Sequence, residues 1–310
     1  MAGTLQCTGY VALPSHRSNG GFDHAAVHAA SGHVYVAHTA NDAVDVFDPA
    51  SALYLFSIPD LTGVAGVLVS DEADLVITSN RGENTIGVFA TGPDPQVLKI
   101  PVGLRPNGLA YDPKRRLILV ANVGDPAVPG AHTLSMVALD ERAVVAEVQV
   151  AGRTRWAIYD PGADRFYVNI ADPAQIVIVE ARKPGAIADV LNVPAAGPHG
   201  LDLDLRTHRL FCACDAGRLI TLDAVSGKIM SDQALRGTPD VVFFNAVHEQ
   251  LYVAVGNPGV IDVFDTRRMT SLGRVETERG AHTIAFASSG DRVFAFLPQS
   301  HRAAMYQVES

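Results

Sequence analysis

The chain has 310 residues, 48% hydrophobic and 18% charged, which suits one large domain or two ordinary ones and is too apolar for a disordered polypeptide. With 33 acidic against 24 basic residues the net charge is -9, and the only lysines are Lys99, Lys114, Lys183 and Lys228, so no basic block exists to meet a nucleic acid. Three cysteines make no disulfide framework, no apolar run reaches the ~20 residues of a bilayer span, and the opening MAGTLQCTGY has no secretory layout, so a cytoplasmic protein without membrane partners is expected.

The first strand-like stretch is CTGYVALP (7–14). It has no neighbour to pair with until the far end of the chain. A repeating unit then begins: a small or polar opening, four apolar-rich residues, a turn, and a β-branched or aromatic strand. Its copies are DHAAVHAASGHVYVAH from Asp23, VAGVLVSDEADLVITSN from Val64, PNGLAYDPKRRLILVAN from Pro106 and TRWAIYDPGADRFYVNI from Thr154. PHGLDLDLRTHRLFCAC from Pro198, PDVVFFNAVHEQLYVAV from Pro239 and AHTIAFASSGDRVFAFL from Ala281 complete the set.

The aligned opening residues are His24, Ala65, Asn107, Arg155, His199, Asp240 and His282, spaced 41, 42, 48, 44, 41 and 42 apart. Each unit continues with two more strands, such as AVDVFD (43–48) and ALYLFSI (52–58), or GVIDVFD (259–265) and SLGRVET (271–277). Four short strands per ~43 residues is the spacing of a propeller blade. The wide spacing of 48 comes from GDPAVPGAHT (124–133), which lengthens one hairpin. The seventh unit supplies strands at 282–287, 292–297 and 302–308 and then ends. Residues 7–14 are therefore expected as its fourth strand, hiding an edge that would otherwise be exposed. The predicted architecture is all-β: one seven-bladed β-propeller domain over 1–310, closed by the N-terminal strand.

The stretches VYVAHTANDAVDVFD (34–48), LVITSNRGENTIGVF (75–89) and LYVAVGNPGVIDVFD (251–265) resemble the repeat of YVTN-type propellers, related in architecture to the lactonase-like propellers. That resemblance covers essentially the whole chain. It implies the fold and, through the gluconolactonase and senescence-marker families, a divalent metal near the axis held from the starts of the innermost strands. Asn107 and Asp240 occupy comparable positions here. His24 stands where those families carry Glu, and His199 and His282 are added.

Because every innermost strand starts at the same face, the seven opening residues should converge on one mouth of the central channel. Three histidines among seven positions, from a total of eleven, mark that mouth as a pocket for a small-molecule substrate. Blades five, six, seven and one supply His199, Asp240, His282 and His24 in succession. Three imidazoles and a carboxylate suit a zinc-like divalent transition metal rather than calcium. His24, His199 and His282 are thus the expected ligands, with His38 and His28 as possible additions. Asp240, Arg155 and Asn107 are the expected catalytic groups, Arg155 and Asn107 holding developing negative charge.

On that basis the expected chemistry is metal-assisted attack on a small polar carbonyl compound, with lactone or ester hydrolysis implied by the resemblance. A lyase reaction on the same residues is the alternative, as is histidine acid–base chemistry without a metal. A non-catalytic scaffold propeller with protein partners is the contrasting expectation. Trp156, next to Arg155, should face away from the channel by strand alternation. Cys212 and Cys214, in the apolar LFCAC, read as core thiols.

Overall fold

The repeats fold as seven four-stranded antiparallel sheets in the computed structural model, which describes residues 5–287 and 289–309. In chain order the innermost strands are Ala25–Val27, Val64–Ser70, Pro106–Asp112, Thr154–Asp160, Pro198–Asp204, Thr238–Asn245 and Ile284–Phe286. Their residues are mostly buried or half-buried, since neighbouring blades flank each strand. Outermost strands such as Ala143–Gln149 and Ile229–Ala234 are largely exposed.

The hairpins after several innermost strands have a local cause. The last strand residue accepts hydrogen bonds from the backbone two and three positions on: Asp112 from Lys114 and Arg115, Asp160 from Gly162 and Ala163, Asp204 from Arg206 and Thr207. Such carboxylate turns fix the chain reversal at the face opposite the mouth. In these same turns Arg116, Asp164 and His208 take left-handed backbone.

The buried apolar residues form seven clusters, each bridging two adjacent blades. One of them joins blade seven to blade one through Phe294, Phe296, Val34, Val36 and Phe47. The ring is therefore closed by packing as well as by hydrogen bonds. The fourth strand of blade seven is Leu5–Ala12, antiparallel to Arg302–Val308, with a bulge between Cys7 and Gly9. It begins two residues earlier than the sequence pattern indicates, because Leu5 is buried against the cluster of blades six and seven. Cys212 and Cys214 are buried free thiols. Among the described residues no helix is long and apolar enough to cross a membrane.

Candidate functional site

Five of the seven innermost strands, those of blades two to six, share a device at their starts. Register shifts separate Val64 from Gly66, Pro106 from Leu109, Thr154 from Ala157, Pro198 from Gly200 and Pro239 from Val242. A bulge re-aims side chains out of strict alternation. Here it turns the opening residue toward the channel mouth. The glycine after several openings lets the next blade close in. A Cβ on Gly108 would lie 2.3 Å from the carbonyl oxygen of Arg155, and one on Gly200 would lie 2.1 Å from that of Asp240. Asn169 adds a polar tie, donating to the carbonyls of His199 and Gly200 at 2.9 and 3.1 Å.

His199 is the hub. Its Nδ1 lies 2.7 Å from an Asp215 oxygen, and its Nε2 lies 3.2 Å from Asp240 and 3.1 Å from Nη1 of Arg155. Asp215 also receives Arg155 Nη2 at 3.1 Å. The other oxygen of Asp240 lies 2.9 Å from His282 Nδ1. On the opposite side, Arg81 donates to Asn107 Oδ1 at 2.8 Å and lies 3.5 Å from Asp23, whose other oxygen is 3.5 Å from His24. Mouth residues from blades four to seven thus form one continuous network, and those of blades one to three a second.

The electrostatics divide the site. Burial alone would lower the His199 pKa, but Asp240 and Asp215 outweigh it and raise the group to about 9. Burial also opposes ionisation of Asp240, yet His199 and His282 hold its carboxyl well below the carboxylate range. His282 is raised, burial being overcome by Asp240. Burial lowers His24, leaving it neutral near pH 7 despite Asp23 and Asp240. Arg153 is lowered by burial and then by the charges of Arg155, Arg81 and Arg105. Four guanidinium groups therefore gather on the side of blades two to four, and the buried Nε atoms of Arg81 and Arg155 have no hydrogen-bond partner among the described residues.

These contacts overturn the metal expectation. Among the described residues no group of three or more His, Cys, Asp or Glu side chains is arranged to hold a metal ion. The two nitrogens of His199 are already committed to carboxylates and Arg155, and His282 to Asp240. His24 lies against Trp156, ring centroids 4.1 Å apart. A zinc-like ion held by His24, His199 and His282 does not fit. His38 does not complete such a shell: fully buried in blade one, it bonds to Asp45 at 2.6 Å and to His16 at 2.6 Å. Nor does His28, which sits at the opposite face, bonded to Ser31 at 2.9 Å and 3.3 Å from Asp74.

Of the expected catalytic groups, Arg155 and Asp240 meet around His199, whereas Asn107 serves Arg81. Trp156 corrects the alternation argument. The bulge after Thr154 lets Arg155 and Trp156 both reach the channel, and Trp156 extends to His24 of blade one. Sequence reasoning missed Asp215, Arg81, Arg105 and Arg153. Arg81 and Asp215 each directly follow a second strand, Leu75–Asn80 and Arg209–Cys214. A charge at that repeat position was the available signal.

No family model matches the chain, and no curated protein shows significant similarity to it.

Proposed function

We propose that the mouth is the active site of an enzyme performing acid–base chemistry on a small carbonyl compound that carries a carboxylate or comparable anion. The observation carrying this reading is the opposed environments of two histidines at one mouth, His24 buried against Trp156 and His199 held between the carboxylates of Asp215 and Asp240. Environments that push two titratable groups apart assign a base and an acid. His24, shielded by Trp156, accepts a proton from carbon or from water. His199 donates to, or neutralises, the oxygen on which negative charge develops.

The arginines supply the anion pocket. When His199 is protonated on both nitrogens, Nε2 donates to Asp240 and no longer accepts from Arg155. The Nη1 hydrogens of Arg155 are then free to meet a carboxylate, while Nη2 stays on Asp215. Removal of a carbon-bound proton next to the carbonyl, as in a lyase, uses this pair directly. Opening of a lactone uses the same pair with water as nucleophile. The YVTN-type repeat pattern is consistent with either, since propellers host many chemistries.

The test is calorimetric binding of small 2-oxo and 2-hydroxy carboxylates, with proton magnetic resonance to follow deuterium exchange at their α-carbons and lactone opening. Saturable binding is expected, weakened at least tenfold by Arg155→Ala. Exchange or opening should be lost in His24→Ala while binding persists. Failure of every probe to bind at millimolar concentration, or wild-type behaviour of both variants, would overturn the reading.

A further inference from the structure

Below the mouth the channel widens into a cavity of about 640 Å³. His24 and Trp156 line its upper end, while Arg155, His199, Asp240 and His282 do not reach it. At its other end lie Asp71 and Glu72, exposed on the hairpin of blade two, so it opens on the opposite face. The paired rings of His24 and Trp156 therefore separate two compartments of different character.

The lower wall follows the repeat. One innermost-strand residue per blade occupies the same ladder position, opposite Tyr35, Ile77, Leu119, Tyr167, Phe211, Tyr252 or Phe294 of the second strand. In six blades that residue is apolar, Leu68, Ile158 and Phe243 being the largest. In blade five it is Asp202. Leu68, Ile158, Asp202 and Phe243 keep partial exposure although they lie on innermost strands, because they face the cavity.

Asp202 has no ion-pair partner among the described residues. Its oxygens accept only the backbone N–H groups of Phe244, at 2.6 Å, and Leu203, at 2.8 Å. Burial raises its carboxyl to about 6, which leaves it ionised at pH 7.5. Among the described residues no lysine or arginine lines the cavity, and its acidic lining residues are Asp202, Asp71 and Glu72. Trp156, Tyr159 and Phe243 add aromatic surface to the same wall. A carboxylate kept in apolar surroundings calls for a counter-charge, and aromatic faces attract cations.

We propose that this lower cavity is a second binding site, meeting the mouth only at His24 and Trp156, for a hydrophobic organic cation such as an alkyl- or arylammonium. The ammonium group meets Asp202 and the apolar body fills the channel along Leu68, Ile158 and Phe243. The acidic hairpin Asp71–Glu72 at the entrance favours entry of cations and disfavours anions. The site thus rejects the class of ligand that the arginines of the mouth attract.

Trp156 is the only tryptophan in the chain and forms part of the cavity wall, so its fluorescence reports occupancy. Octylammonium, 1-octanol and octanoate, each below its aggregation threshold at pH 7.5, compare one chain with three head groups. Octylammonium should give a saturable change with a Kd at least tenfold lower than 1-octanol, and octanoate should bind weakest once Arg155→Ala has removed the anion pocket of the mouth. Asp202→Asn should bring octylammonium and 1-octanol to within about twofold of each other. The head-group order on the wild-type protein decides the proposal even if that variant fails to fold. Equal Kd values for the three probes, no saturable change, or an undiminished preference in folded Asp202→Asn would overturn it.

Discussion

His199 carries a charge that the fold itself stabilises, and this makes its titration a stability measurement. Its pKa is about 9 in the folded protein, against roughly 6.5 for an unperturbed histidine. The native state therefore holds the proton more tightly than the unfolded chain. The resulting stabilisation is fully present below pH ~6.5 and is lost as pH rises through about 9. A shift of this size corresponds to something on the order of 3 kcal/mol. Chemical denaturation of the wild type and His199→Gln at several pH values should show a stability gap that is largest near pH 6 and shrinks as pH rises toward 9. A gap independent of pH would mean that Asp240 and Asp215 do not hold the proton. His248→Ala is the control. It sits in a hairpin at the opposite face, where its backbone N–H bonds to Asn245, and should leave both the gap and ligand binding unchanged.

At the scale of the strand, the opening of each blade places the site. The opening residues were legible because they recur at one position of a repeat, and an innermost strand has only one place to begin. What the alternation of strands could not convey was the bulge, which put Trp156 into the channel beside Arg155. Neither could it convey the partners on the neighbouring hairpins. Asp215 and Arg81 belong to loops whose approach depends on how closely blades pack, and that closeness rests on glycines. Gly200→Ala would set a Cβ 2.1 Å from a backbone oxygen of Asp240, so blade five must move away from blade six. The expected cost is about 1–3 kcal/mol, together with a fall in the His199 pKa as Asp240 recedes. Gly185→Ala makes a useful contrast, because its Cβ would meet only Ala146 at 3.8 Å and should change stability by less than about 0.5 kcal/mol. Denaturation curves and imidazole resonance titrations of the two variants check both expectations.

For the whole molecule, seven copies of one pattern made the blade count readable, and an incomplete last copy made the closure readable. The metal expectation failed for a reason that residue types cannot reveal. The same histidines and aspartates that could ligate an ion can instead satisfy one another, and only the distances distinguish these outcomes. Closure itself can be tested. Leu5–Ala12 completes blade seven, Val11 is fully buried in the cluster joining blades seven and one, and Leu13 donates to the carbonyl of His301. Deleting residues 1–12 bares the edge of Arg302–Val308 and removes Leu5 and Val11, each contributing about 1.5–3 kcal/mol of burial. With a few degrees of melting temperature per kcal/mol in a chain of this size, the Tm should fall by on the order of 10 °C. The damage should also reach the mouth, since His282 and His24 start the two blades that meet at this seam. Ligand binding at the mouth should therefore weaken well below the melting range, whereas Val145→Ala on an exposed outer strand should alter neither property. A truncated protein that melts and binds like the full chain would show that the seven inter-blade clusters hold the ring without its closing strand.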